Sequence, residues 1–283
     1  MKLVGAATVA SGTVNEDAMG YLGGAGDIEA AWVLDGVTGI NDMTLPGIAN
    51  DAAWFVGRID HHLRELLPSG AGAQAFASAL VDRLVHDVDI ARDGSSLPAT
   101  YDPPAACLML IRKVKDGVEA IRLGDSCLLA RGRNGALTRM VDFPNNTFDD
   151  WFAAESHRLR LSGMTAAADI RRALSAALFE NRRRRNRTGG YGVLEADRAC
   201  LNFLEVRQIT DIDGILLATD GFFRLADCYQ ELSETELLNK SIQPGGVDAL
   251  MSRLRAIEAA DEICMTYPRH KPRDDATAVA LRL

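Results

Sequence analysis

Ala105-Ala106-Cys107-Leu108-Met109-Leu110-Ile111-Arg112-Lys113-Val114-Lys115-Asp116-Gly117-Val118-Glu119-Ala120-Ile121-Arg122-Leu123 carries the clearest structural signal in the chain. Its two apolar runs flank Asp116-Gly117, a dipeptide that favours a two-residue hairpin because glycine accepts positive φ. Outward from that hairpin, Ser126 to Arg131 continues the sheet and Asn134-Gly135 supplies another turn. Towards the start, Leu3 to Ala10 and Ala30 to Leu34 read as buried strands, with the glycine-rich Gly20 to Gly26 turning between them. Towards the end, Cys200 to Ile209, Ile215 to Thr219 and Ala276 to Leu283 are β-rich. Helical periodicity fills the gaps at Pro46 to Leu67, Ala73 to Ala91, Asn146 to Arg187 and Val247 to Ile263. In the second of these, Phe76, Leu80, Val81, Leu84, Val85 and Val88 share one face; in the last, Val247, Leu250, Met251, Leu254 and Ile257 do. Strands at both ends with helices in blocks fit an α+β layered domain better than alternating βαβ units. With no internal repeat and no long low-complexity linker, the expectation is a single domain, 1–283.

The 283 residues are 47% hydrophobic and 25% charged, which is ordinary for a globular protein. A formal net charge of −8 leaves no broad basic face for nucleic acid or anionic lipid. The five cysteines, Cys107, Cys127, Cys200, Cys228 and Cys264, are odd in number and widely spaced, so neither a disulfide framework nor a zinc knuckle is indicated. No apolar run reaches the roughly 18 residues that a membrane helix needs. Leu3 to Ala10 contains Gly5 and Thr8 and leads straight into Asn15-Glu16-Asp17, so it reads as a first strand and not as a leader. The expected location is cytoplasmic.

Two distant segments share one design. Ala30-Ala31-Trp32-Val33-Leu34 runs into Asp35-Gly36, and Ile215-Leu216-Leu217-Ala218-Thr219 runs into Asp220-Gly221. Each places a carboxylate where an apolar strand leaves the core, with glycine allowing close approach of the backbone. Glu16-Asp17 follows the first strand, and Asp274-Asp275 precedes the last. Carboxylates gathered at strand ends repel one another unless cations neutralise them. All-oxygen ligation suits Mg²⁺ or Mn²⁺ and not zinc. The alternative is plain turn chemistry, since Asp-Gly occurs five times, at Asp35, Asp93, Asp116, Asp213 and Asp220.

The order of the segments is informative. Asn15-Glu16-Asp17-Ala18, Val33-Leu34-Asp35-Gly36-Val37-Thr38-Gly39, Leu123-Gly124-Asp125-Ser126, Leu216-Leu217-Ala218-Thr219-Asp220-Gly221-Phe222 and Arg273-Asp274-Asp275-Ala276-Thr277-Ala278-Val279 resemble, in register, the five blocks of the metal-dependent protein phosphatases of the 2C type, bacterial branch. The resemblance implies a four-layer αββα sandwich with two central, mostly antiparallel sheets, and a centre of two Mn²⁺ or Mg²⁺ ions with a third, weaker site. By position, Asp35 would bridge two metals, the Gly36 carbonyl would bind one, and Asp220 and Asp274 the other. Glu16 and Asp17 would hold metal-bound waters, and Asp125 would form the third site with Asp220. It further implies in-line attack by a metal-bridging hydroxide on phosphoserine or phosphothreonine in a phosphorylated protein, and pairing with a serine/threonine kinase.

There are departures from the family pattern. Gly12 stands where the family carries a phosphate-binding arginine, Thr38 replaces a glycine, Val37 stands where eukaryotic members carry histidine, and the block before the hairpin is reduced to Pro104-Ala105-Ala106. These departures motivate a second hypothesis, a pseudophosphatase that binds phosphoproteins without turnover. The arginines at 182–185 and 187 read first as a solvated helix end, with replacement of the missing phosphate-binding arginine as the alternative. His61 and His62 are expected on the exposed side of the first helix, and Asp211-Ile212-Asp213-Gly214 in a surface turn. No G-x-S-x-G elbow and no G-K-[ST] phosphate loop occurs.

Overall fold

The computed structural model describes residues 1–41, 43–141 and 147–283. The first stretch of elements is β1 (Lys2–Val9), β2 (Asp17–Gly24), β3 (Asp27–Val37), α1 (Asp51–Leu66) and α2 (Ala73–Arg92). The middle holds β4 (Ala105–Val114), β5 (Gly117–Leu123), β6 (Cys127–Gly132) and β7 (Leu137–Met140), then α3 (Thr147–Leu161), α4 (Ala167–Ala173) and α5 (Ser175–Arg182). The rest is β8 (Leu194–Glu195), β9 (Glu205–Thr210), β10 (Ile212–Ala218), α6 (Asp220–Phe223), α7 (Glu234–Ser241), α8 (Gly246–Ala260) and β11 (Ala276–Arg282).

The strands form two antiparallel sheets, ordered β1-β11-β10-β6-β7 and β2-β3-β4-β5-β9, with β8 beside β4. Side chains alternate across each strand, which explains how one segment serves two cores. In β3, Ala31 and Val33 point into the space between the sheets, where they meet Leu217 of β10 and Val279 and Leu281 of β11. Trp32 and Leu34 point the other way and pack under Phe55 and Ile59 of α1 and Phe76, Leu80 and Leu84 of α2. On the opposite face of the molecule, Leu216 and Ala218 of β10 lie under Leu237 of α7 and Val247, Leu250 and Leu254 of α8. Helix, sheet, sheet, helix is therefore the layer order, the α+β sandwich expected from the sequence. Among the described residues no helix is long and apolar enough to cross a membrane.

Several local readings are corrected. The first helix starts at Asp51 and not Pro46, because Asn50 caps it, its side-chain oxygen accepting from the Ala53 N–H at 2.9 Å. The glycine-rich Gly20 to Gly26 is not all turn: β2 runs to Gly24, paired with β3 through a register shift between Leu22 and Gly23, because sheet pairing outweighs weak intrinsic propensity. Cys200 to Phe203 is a 3₁₀ turn, and the strand begins only at Glu205. Asp213 lies inside β10 beside Arg131, at 2.7 Å, and the turn sits instead at Asp211, in the left-handed region with φ of 54°. The block read as helical from Asn146 is three helices beginning at Thr147; Asn146 lies outside the described residues.

Candidate metal centre

The carboxylates meet at one mouth of the sandwich, because the strands that carry them end there. Asp17 opens β2 and stands directly across from Asp35 on β3. Asp220 follows the end of β10, Asp274 precedes β11, and Asp125 sits in the link between β5 and β6. Thr219 ties three of these segments together. Its hydroxyl donates to Asp17 Oδ2 at 2.8 Å, its N–H to the Thr277 carbonyl at 3.0 Å, and its oxygen accepts from the Thr277 N–H at 3.0 Å. Glycine is needed at Gly221, where a Cβ would lie 1.9 Å from the Asp275 carbonyl oxygen. The same holds at Gly36, where a Cβ would lie 2.5 Å from the carbonyl oxygen of Glu16. The two Asp-Gly segments thus share a cause as well as a spelling: each glycine lets another acidic segment close over the preceding aspartate.

Two adjoining clefts open here. One, of about 300 Å³, is lined by Asp17, Asp35, Gly36 and Asp274 together with Glu16, Arg171 and Lys271. The other, of about 420 Å³, is lined by Asp125, Asp220 and Asp227 with Asp149 and Asp150, and His270 faces both. Burial and repulsion from Asp220 and its neighbours hold the Asp35 carboxyl well above the usual range. Burial, with repulsion from Asp220 and Asp274, pushes Asp17 up to about 8 despite its hydrogen bonds to threonine. Asp125 still meets solvent in its cleft, yet enclosure at the floor and the Asp220 carboxylate push it up to about 7.

Asp274 behaves in the opposite way. Burial alone would raise it, but Lys271 on one oxygen and Arg224 on the other, at 2.6 Å, bring it down to about 2. Arg255 of α8 donates to the Asp274 carbonyl at 2.8 Å and to that of Val9 at 2.7 Å, fixing the backbone there. The His270 ring is pushed down to about 3 by burial and by Arg224 and Lys271, so it stays neutral. Among the described residues the direct ion pairs go to Asp274; Arg224 and Lys271 also favour Asp220 at longer range, and Asp17, Asp35 and Asp125 have no cationic partner in contact. A crowded, all-oxygen donor set with that deficit fits a hard divalent cation such as Mg²⁺ or Mn²⁺.

Glu16 stands at the rim of this group. Thr38 donates to one of its oxygens and Asn50 to the other at 2.8 Å, so the residue that caps α1 also orients it. Asp275 also lines this cleft, and its carboxylate accepts the N–H groups of Ser11 and Glu16, both at 2.6 Å, which pins the loop after β1. Asn50, Arg224, Arg255, His270 and Lys271 escaped the sequence reading; their partners lie far away in the chain or in an irregular loop. The arginine run is split: Arg183, Arg184 and Arg187 are exposed, as the solvated reading expected, whereas Arg182 and Arg185 turn inward, away from the two clefts. Arg185 pairs with Asp102 at 2.7 Å and Glu195 at 3.0 Å, and Arg182 pairs with Asp102 at 3.5 Å and donates to the Thr38 carbonyl at 3.1 Å. His62 is buried against Asp87 at 2.6 Å, whereas His61 is exposed as expected.

An αββα sandwich with convergent carboxylates at its mouth defines a class of metal-dependent hydrolase. The sequence pattern of protein phosphatase 2C matches residues 4–257, and the chain belongs to that family, the metal-dependent protein phosphatases. No curated protein matches in sequence. Solved structures share the fold at low identity. The serine/threonine phosphatase PstP/Ppp of Mycobacterium tuberculosis is 17% identical, with a TM-score of 0.56 over 99% of this chain and 97% of its own. Stp1 of Staphylococcus aureus is 14% identical, with a TM-score of 0.55 over 100% and 97%. A PstP catalytic domain solved with two manganese ions is 16% identical, with a TM-score of 0.51 over 99% and 97%. The family match stops short of Asp274.

Proposed function

We propose that residues 1–283 form one catalytic unit, a Mn²⁺- or Mg²⁺-dependent phosphatase acting on phosphoserine and phosphothreonine in proteins. The observation that carries this reading is the convergence of Asp17, Asp35, Asp125, Asp220 and Asp274, with too little positive charge among them, at the mouth of a protein phosphatase 2C sandwich. Asp35 and the Gly36 carbonyl would hold one ion, Asp35, Asp220 and Asp274 a second, and Asp125 with Asp220 a third, weaker one. Ions bound there supply Lewis acidity towards the phosphoryl oxygens and a nucleophile at neutral pH. Asp17, held by Thr219, and Glu16, held by Asn50 and Thr38, would orient water at the centre. Arg224 and Lys271 keep Asp274 ionised, so it remains an acceptor throughout the physiological range. A cytoplasmic location and pairing with a serine/threonine kinase complete the proposal.

The test is hydrolysis of p-nitrophenyl phosphate and of a phosphothreonine peptide. Hydrolysis should require Mn²⁺, stop with EDTA, and be lost in Asp220→Asn. Activity that survives EDTA would sink the metal-dependent reading. The pseudophosphatase alternative is not favoured, because the departures at Gly12 and Thr38 leave the carboxylate cluster whole.

A further inference from the structure

A phosphoryl group entering a cleft lined by carboxylates meets repulsion that metal ions offset only in part, so a fixed cation at the mouth is needed to draw it in. Among the described residues lining the cleft of Asp17, Asp35 and Asp274, the cationic side chains are Lys271 and Arg171. Lys271 is already spent on Asp274. Among the described residues Arg171 is not spent on any carboxylate. It comes from α4, is half-buried, and its Nη2 donates to the Gly39 carbonyl at 2.7 Å, just past the Asp35-Gly36 segment. That single bond holds one end of a planar fork that carries five N–H donors. Arg171 also lines the adjoining groove of Thr38, Asn41 and Asp102, so it stands at the boundary between the carboxylate cleft and the outer surface. Phe152, Ala167 and Ala168 form an apolar wall beside it. Gly12, next to the lining residue Ser11, is exposed and contributes no side chain.

We infer that Arg171 is the substrate-phosphate clamp of this phosphatase, its free N–H groups forking onto phosphoryl oxygens while the Gly39 contact sets its direction. The inference rests on the phosphatase reading above. A guanidinium held at one end and open at the other suits bidentate recognition of a phosphate dianion. The long helical segment between β7 and β8 then acquires a chemical role, since it carries the clamp across to the metal cleft from the far side of the chain.

The experiment compares wild type, Arg171→Ala, Arg171→Gln and Arg171→Lys at saturating Mn²⁺. It measures KM and kcat for p-nitrophenyl phosphate, the inhibition constant of inorganic phosphate, and Mn²⁺ affinity by calorimetry. Arg171→Gln loses the charge and the fork while keeping a polar side chain of intermediate length, which covers the case in which Arg171→Ala fails to fold. Removing the clamp should raise KM and the phosphate inhibition constant together by about tenfold or more, the loss of a charge-assisted hydrogen bond. Mn²⁺ affinity should stay unchanged and kcat should fall much less, with Arg171→Lys recovering part of the phosphate affinity. Arg172→Ala is the control, because Arg172 projects into solvent with 79% exposure and pairs only with Asp169. An active Arg171→Gln enzyme with unaltered KM and unaltered phosphate inhibition would overturn the inference and leave the phosphatase reading standing. A wild-type chain without Mn²⁺-dependent hydrolysis would remove both, and that failure is visible before any variant is made.

Discussion

Two aspartates thirteen residues apart, Asp261 and Asp274, begin and end one irregular loop, and their surroundings could hardly differ more. Asp261 closes α8 and is a completed polar hub. Its carboxylate accepts the N–H groups of Met265, Thr266 and Tyr267 at 2.8, 3.0 and 3.0 Å, and Arg269 at 2.6 Å. Arg269 is also buried; it spends further donors on the Asp261 and Tyr267 carbonyls and lies over the Tyr229 ring at 5.4 Å. At the other end, Asp274 joins a cluster where Asp17, Asp35 and Asp125 are all pushed up in pKa by burial and by the Asp220 carboxylate. The first arrangement stabilises the fold, and the second destabilises it until a cation arrives. The satisfied hub holds the loop so that the unsatisfied cluster can be assembled at its end.

Charge removal should therefore act in opposite directions in the two regions. The largest effect is expected for Asp35→Asn. Loss of the central carboxylate should lower hydrolysis of p-nitrophenyl phosphate by about a thousandfold, roughly 4 kcal/mol of transition-state stabilisation. The same change should raise the thermal midpoint of EDTA-treated protein, since it relieves repulsion. A metal-free Asp35→Asn protein that melts below wild type would break the comparison. Asp261→Ala should do the reverse to the fold: removing one partner of a buried ion pair and stranding three N–H groups should cost about 3 kcal/mol or more, read from urea unfolding at neutral pH. Mn²⁺ itself comes next. At a hundredfold excess over its dissociation constant it should stabilise wild type by about 2.7 kcal/mol, and Asp35→Asn by far less. Equal stabilisation of both proteins would place the metal somewhere other than this mouth.

How much of this was legible in advance follows from where each residue finds its partners. Asp35 and Asp220 stand out because an apolar strand, an aspartate and a glycine are contiguous, and contiguity is what a linear reading sees. The α+β class was readable from apolar strand runs and helical blocks, whereas the four-layer order came only with the family resemblance, because a continuously apolar run does not say which side chain faces which core. Local chemistry misled at Asp213, where turn propensity lost to pairing with β6, and in β2, where weak glycine propensity lost to pairing with β3. Arg182 and Arg185 could not be told from their exposed neighbours Arg183, Arg184 and Arg187, because their acceptors, Asp102, Glu195 and the Thr38 carbonyl, are brought to them only by the fold. Arg171 and Lys271 were silent on their own, since a single cation in a helix or loop has no periodic or motif signature.

The smallest effect, and the one most specific to the hub, is its response to acid. Burial alone would raise the Asp261 carboxyl, but the Thr266, Tyr267 and Met265 N–H groups and the Arg269 guanidinium override it and hold it at about 2, against 3.8 unperturbed. A depressed folded-state pKa means that the unfolded chain binds its proton first as pH falls. The stabilisation is therefore fully present above about pH 4 and drains away between pH 4 and pH 2, amounting to about 2 kcal/mol. Asp261→Asn keeps an acceptor oxygen but cannot titrate, so its unfolding free energy should fall less steeply than that of wild type across that window. The difference between the two urea-unfolding curves isolates Asp261 from the other carboxyls, which titrate in both proteins. Parallel curves from pH 4 to pH 2 would show that Arg269 and the loop N–H groups do not favour the ionised form, and the contrast between the two ends of the loop would lose its electrostatic basis.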